Sequence, residues 1–381
     1  MYNLHPLASG ERSDSKPAPA LMAGSEGPRD RDPAPGRWTL LDVLRWTTSR
    51  FQQRQLPSAR LDAEVLIAAA LGTSRVQLYV QFERPLGPDE LANIRELVRR
   101  RQNGESVAYV VGKKEFFGLE LAVDARVLVP RPDTETLVDE ALARWRERTV
   151  ASVEAPQDLE QAPAEPGEEI PPADGEADTA SSRTRPEVEV EVARTVQPRV
   201  ADVGTGSGAI ILAIGKQLRG AELFAVDVSA DALAVARANG ERHAIPVIWL
   251  EGDLALPLAA HGPFDLVVAN LPYIPTMDIP SLSPDVRAEP HLALDGGSDG
   301  LALVRRLVAT APRLLAPGGA LVLEIGAGQA EATRQLLVDA GLTDLRVRRD
   351  LGGVDRVVSA RMPPAFPASP PSPSAVEGSP A

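Results

Sequence analysis

The chain has no cysteine among its 381 residues, which removes disulfides, thiolate nucleophiles, iron–sulfur clusters and Cys-ligated zinc together. A reducing compartment, the cytoplasm, fits that usage. Only four histidines occur, His5, His243, His261 and His291, with no i,i+4 pair and no HExxH, so no protein-bound metal is expected. No run of 18 apolar residues exists, and the first 36 residues carry no continuous apolar stretch; a soluble, unexported protein with no membrane association is expected. Aromatics make up only 4%, so the core must be packed with Ala, Leu and Val.

What is abundant is proline, 35 residues, and acid, for a net charge of −13. Between Ala151 and Glu191 twelve acids face only Arg183 and Arg185, a local net of −10 that leaves −3 for the rest. The acidity therefore belongs to one segment and says little about the surface that meets a substrate. Residues 1–36 and 363–381 are rich in Pro, Ser, Ala and Gly and read as disordered tails. Residues 151–195 read as a solvated acidic insertion.

Residues 37–104 have a helical pattern and predict a small bundle. Thr39 is placed to cap a first helix, Ser58 to cap SARLDAEVLIAAAL before Gly72, and Pro88 to open PDELANIRELVRRRQNG, which stops at Gly104. Arg99, Arg100 and Arg101 suit a helix C-terminus better than a nucleic-acid contact. From Val107 to Val129 the character turns to β, so 105–132 is expected to form a hairpin linker, after which Asp133 is placed to cap a helix. From 133 to 362, leaving aside the insertion, strands and helices alternate: RVADVG, AELFAVD, PVIWLEGD, FDLVVAN, GALVLEIG, LRVRRD and RVVSARM. Such alternation predicts an α/β fold, a mostly parallel sheet of seven strands with helices on both faces and ligands at the carboxyl ends of the strands.

The first strand end, DVGTGSG, holds Gly204, Thr205, Gly206, Ser207 and Gly208 and leads straight into a helix. Glycines there permit a tight turn and close approach of a ligand to a helix N-terminus. Alone, the loop leaves a nicotinamide dehydrogenase and a methyltransferase both open. Asp227, ending the next strand, suits the two hydroxyls of a ribose. Asp253 and Leu254 follow the third strand. After the fourth stands Asn270-Leu271-Pro272-Tyr273, which answers a particular chemical need. A planar NH2 group has a delocalised lone pair and attacks a methyl sulfonium poorly. With Asn270 Oδ1 accepting one N–H and the Leu271 carbonyl the other, the nitrogen is oriented toward the methyl group and its developing positive charge is favoured. Pro272 limits the backbone and Tyr273 offers an aromatic wall. A dehydrogenase has no use for this arrangement.

Taken together, RLDAEVLIAAALG, VLVPRPDTE, DVGTGSGAI, AVDVSADALAVARAN, NLPYI, DVRAEPHLALDGGSDGL and LLAPGGALVLEIGAGQ resemble the PrmC/HemK family of protein-(glutamine-N5) methyltransferases, over roughly Trp38 to Arg361. The resemblance implies a Rossmann-like class I fold dependent on S-adenosylmethionine (SAM). Gly204, Thr205, Gly206, Ser207, Gly208, Asp227, Asp253, Leu254 and Asn270 would hold SAM, and Asn270, Leu271, Pro272 and Tyr273 would bind the substrate glutamine and form the catalytic group. It also implies methylation of the Gln amide in the GGQ loop of class 1 peptide chain release factors, with the helical domain gripping that protein. Arg131 and Glu135 match the family signature and are expected either to border the site or to form a structural Arg–Glu pair. The chain departs from the family at Leu271, where Pro is usual, and at Leu254, where an aromatic residue often stands. Other substrates of the same chemistry are a ribosomal-protein glutamine or an N6-adenine in nucleic acid. The 17 Lys/Arg against 16 Asp/Glu from Trp38 to Val150 speak against a phosphate-binding face. A non-catalytic SAM-fold binding module is the remaining alternative.

Overall fold

A computed structural model describes residues 38–154 and 197–364. The two tails and the acidic segment lie, apart from their margins, outside the described residues.

Five helices form the N-terminal unit: α1 (Leu40–Gln53), α2 (Ala59–Ala70), α3 (Arg75–Val80), α4 (Pro88–Gln102) and α5 (Val107–Val111). Thr39 caps α1 reciprocally: its hydroxyl accepts the Asp42 N–H while the Asp42 carboxylate accepts the Thr39 N–H at 3.0 Å. Ser58 holds the equivalent position before α2 but makes no side-chain capping bond, so the role expected of it is corrected. Leu40, Leu44, Phe51, Leu66, Ile67 and Leu78 are sealed between these helices. The arginines ending α4 are all paired: Arg99 with Glu96, Arg100 with Glu105, and buried Arg101 with Asp62 at 2.8 Å.

The stretch expected to be β throughout begins instead as α5, because Ser106 accepts the Tyr109 N–H as a cap and Gly112 stops the helix in the left-handed region. The hairpin is correspondingly short, β1 (Lys113–Phe116) against β2 (Leu119–Ala122). Asp133 does not cap the next helix. Pro132–Thr134 form a 3-10 turn with Arg131 in the capping position, and α6 (Glu135–Glu154) starts beyond it; proline's fixed φ presets that turn. α6 runs into the first residues of the acidic stretch.

The sheet comprises β3 (Arg199–Val203), β4 (Glu222–Asp227), β5 (Ile248–Glu251), β6 (Phe264–Ala269), β7 (Leu315–Glu324), β8 (Thr343–Arg349) and β9 (Asp355–Arg361) in the order β5-β4-β3-β6-β7-β9-β8. Only β9 opposes its neighbours. Between the strands run α7 (Ala209–Gln217), α8 (Ala230–Arg242), α9 (Pro284–Arg287), α10 (Ala302–Leu314) and α11 (Ala330–Asp339). Alternation along β6 divides the core: Val267 and Ala269 face the cluster containing α10 and α11, whereas Leu266 and Val268 face that containing α6 and α7. The hairpin is sewn to this body by Asn239 of α8, a buried amide that accepts the Ala122 N–H at 2.7 Å and donates to the carbonyls of Ala122 and Ser207.

Candidate active site

Strand order reverses direction between β3 and β6, and at such a switch point the loops that follow the strands diverge and leave a crevice. A cleft of about 310 Å³ opens there. It is lined by Gly204, Thr205, Gly206 and Ser207 after β3, Asp227 after β4, Asp253 and Leu254 after β5, and Asn270, Leu271 and Pro272 after β6. Residues separated by up to 68 positions along the chain are thereby brought to one wall-to-wall space. Gly208 and Tyr273 are not among the lining residues. Gly208 packs beneath the loop against Leu212, Ala236 and Trp249. Tyr273 backs onto Gly326, and its carbonyl accepts a hydrogen bond from Gln329 at 3.0 Å.

The glycine loop is held from below. The Thr205 hydroxyl donates to Asp202 Oδ2 at 2.7 Å, and the N–H groups of Gly204 and Thr205 bond the Val226 carbonyl. At Gly206, φ is +55°, and an added Cβ would meet nothing within 4 Å; backbone conformation, not crowding, requires glycine there. Gly204, at φ +75°, lies so close to Leu271 that a Cβ would stand 3.1 Å from its Cδ2. Leu271, where the family usually has proline, thus sends its buried side chain under the glycine loop, while no described residue donates a hydrogen bond to its carbonyl.

Asp227 accepts the Gly206 N–H at 2.8 Å on one oxygen and the Ser229 N–H at 2.9 Å on the other. Each carboxylate oxygen offers two lone-pair directions, so both keep one for a ligand. Asp253 pairs with Arg306, itself a lining residue. Leu254 sits in the left-handed region at φ +49°, half-buried against the core.

The opposite wall comes from the segment ahead of α6: Val127, Pro130, Arg131 and Thr134. Arg131 borders the cleft and pairs with Glu289, not with Glu135. Glu289 also accepts the Val129 N–H at 3.2 Å; its burial raises its pKa against the opposing pull of Arg131. Glu135 lies away from the lining and accepts the Phe117 N–H at 2.9 Å, anchoring the hairpin turn.

Asn270 Nδ2 donates to the Thr134 hydroxyl at 3.2 Å. Behind both stands Glu324, the last residue of β7, only 1% exposed. Burial pushes its carboxyl up to about 7, against the lowering influence of the neighbouring Thr134 hydroxyl, the Arg356 charge and the Asn270 amide. Tyr273 is pushed up to about 12 by burial and by the nearby Glu324 charge. Thr134, Glu289 and Glu324 were not singled out from sequence; the only signal was a lone acid closing the apolar run ALVLEI. Among the described residues no group of three or more His, Asp or Glu is placed to hold a metal, and no helix is long and apolar enough to cross a membrane.

Comparison with known proteins supplies the family. The profile of the PrmC N-terminal domain matches residues 42–112, and a methyltransferase-domain profile matches residues 200–288. The chain is 40% identical over 329 residues to the release factor glutamine methyltransferase of Geobacter sulfurreducens, covering 86% of this chain and 98% of that protein. It is 39% identical over 340 residues to the enzyme of the same name from Bradyrhizobium diazoefficiens, covering 88% and 99%. Among solved structures, a release factor-specific protein-(glutamine-N5) methyltransferase from Alicyclobacillus acidocaldarius aligns at 27% identity over 62% of this chain and 95% of that one, with a TM-score of 0.32. With 39–40% identity to the Geobacter and Bradyrhizobium enzymes sustained across both the helical unit and the sheet, the chain belongs to the release factor glutamine methyltransferase family.

Proposed function

We propose that this chain transfers the methyl group of SAM to the side-chain amide nitrogen of the glutamine in the GGQ loop of class 1 peptide chain release factors. One observation carries the proposal. Asn270 directs its NH2 to the Thr134 hydroxyl, and the Leu271 carbonyl has no described donor. Two adjacent acceptor oxygens are thus left at the edge of the cleft that holds the glycine loop and Asp227.

The donor set suits SAM. Asp227 retains acceptor capacity for ribose hydroxyls, Gly206 is open toward the cleft, and Val228, Leu254 and Leu292 give apolar walls for an adenine. Gly204 to Gly208, Asp227, Asp253, Leu254 and Asn270 are the residues that would hold it, Gly208 through the loop backbone. When bound, SAM supplies an electrophilic methyl group on sulfur. The protein's part is to accept both N–H groups of the substrate amide at Asn270 Oδ1 and the Leu271 carbonyl, which orients the nitrogen. The same oxygens favour the nitrogen as it becomes positive. Leu271 retains the acceptor that a proline would provide, because the acceptor belongs to the backbone.

The test is to incubate the protein with labelled SAM and a purified release factor, ribosomal proteins or RNA, and to map the label. Labelling of the GGQ glutamine is expected; label confined to a ribosomal protein or to RNA adenine would overturn the substrate assignment. Asn270→Ala should lower turnover roughly 100- to 1,000-fold with SAM affinity measured by calorimetry largely retained.

A further inference from the structure

We propose that Glu324, acting through Thr134, is the positioning residue that decides which atom of the Asn270 amide faces the substrate. The role rests on Asn270 acting as the acceptor proposed above.

An asparagine side chain is nearly symmetric in shape, and rotating it by a half turn exchanges an acceptor for a donor. At Asn270 that exchange would present NH2 to a substrate NH2, and the site would repel the group it must hold. Something must therefore fix the rotation. Thr134 alone does not, since a hydroxyl donates or accepts equally well. Glu324 breaks the tie. As a carboxylate it only accepts, so the Thr134 proton points to it, the Thr134 oxygen must accept, and the atom of Asn270 beside Thr134 must be Nδ2. Glu324 stands beside Asn270, because β6 and β7 pair Ala269 with Leu323, and its negative charge favours Nδ2 on that side as well. With Nδ2 held toward Thr134 and Glu324, Oδ1 is left for the cleft.

The surroundings fit this assignment. Glu324 is almost wholly enclosed, and its Oε2 has no hydrogen-bond partner, an arrangement with no evident structural purpose at the end of a core strand. The charged and titratable groups that face it are Arg356 from β9, Asp133 from the turn before α6, and the Tyr273 hydroxyl from the loop after β6. Arg356 is committed to Asp350 at 3.1 Å and to the Ile325 carbonyl at 3.2 Å, so it attracts Glu324 without capping it. Protonated Glu324 could donate to Thr134 and permit the chain of bonds to run backwards. Its carboxyl, held up to about 7, therefore makes the orientation depend on pH within the physiological range.

The direct test reads the amide itself. The chain has five asparagines, Asn3, Asn93, Asn103, Asn239 and Asn270, so selective ¹⁵N-asparagine labelling, with Asn270→Ala for assignment, isolates the Asn270 NH2 signals in the full-length protein. In the wild type these signals should shift with a midpoint near 7, and in Glu324→Gln the titration should vanish. Asp202 is the other carboxyl pushed up to about 7, and Asp202→Asn should leave the Asn270 titration in place. In parallel, Glu324→Gln and Thr134→Val should lower kcat roughly 10- to 100-fold with SAM affinity unchanged, whereas Thr134→Ser should restore turnover. The ascending limb of the kcat–pH profile near neutrality should be absent in Glu324→Gln. Wild-type Asn270 signals that do not move between pH 5 and 9, or a Glu324→Gln enzyme with wild-type kcat and pH profile, would overturn the assignment. A wild-type protein that methylates no release factor would overturn the substrate instead, and the nuclear magnetic resonance titration would still decide the role of Glu324.

Discussion

Asp202 is fully buried at the end of β3; one oxygen accepts the Thr205 hydroxyl and the other has no partner. Burial pushes its carboxyl up to about 7, assisted by the negative charge of Asp227. A carboxyl whose pKa is raised on folding binds its proton more tightly in the native state, so its contribution is complete below the unfolded value near 3.8 and is lost as pH rises through about 7. Asp202→Asn should accordingly flatten the fall in melting temperature between pH 5 and 8, measured by calorimetry against wild type. An unchanged slope would show that Asp202 is not protonated in the fold. Residues of this kind separate what sequence reveals from what it conceals. Gly204 to Ser207, Asp227 and Asn270 to Pro272, which line the cleft, could be named as candidates from sequence because they are spaced locally beside predicted strand ends. Thr134 touches Asn270 from 136 positions away, and Glu324 acquires meaning only by standing behind both, so neither contact leaves a local trace.

At the scale of elements, helices were readable where an apolar face repeats and a cap precedes it, and unreadable where the element is short. α3 buries only Leu78 and exposes Val76 and Val80, so it shows no helical period. α5 consists of β-favouring residues, yet it is a single turn fixed at its two ends by Ser106 and Gly112. The hairpin turn places Phe117, not only Gly118, at positive φ, as a tight two-residue connection requires; a phenylalanine there gives no warning in sequence. Capping provides a matched test. Thr39→Ala should destabilise the protein by about 1 kcal/mol in urea denaturation, because it removes half of a reciprocal pair. Ser58→Ala, at a capping position where the hydroxyl caps nothing, should stay within about 0.5 kcal/mol of wild type.

Across the whole molecule, alternation of strand and helix announced a mostly parallel seven-stranded sheet with ligands at the carboxyl ends of its strands, whereas the strand order and the switch point are seen only in the fold. What alternation does not determine is how the helical unit is attached. That depends on Asn239 joining α8 to the hairpin, and on Tyr109, whose hydroxyl bonds the Val127 carbonyl beside the cleft wall. The long α6 has a polarity that matters further. It starts next to Thr134 at the cleft and covers about 30 Å at 1.5 Å per residue, ending at Glu154, while β3 begins at Arg199, at the end of that strand away from the glycine loop. Both moorings of the acidic stretch are therefore on the rim opposite the reacting groups. Replacing residues 156–195 by a Gly/Ser linker of about ten residues should leave kcat and KM for a release factor unchanged in steady-state methylation assays. The length of β3 alone, about 17 Å, is twice the distance of about 8 Å over which physiological salt mutes a charge. A charge fixed at either mooring is electrically out of earshot of the chemistry, so the sign of the residues at those two ends can change while the methyl-transfer site above the sheet goes on undisturbed.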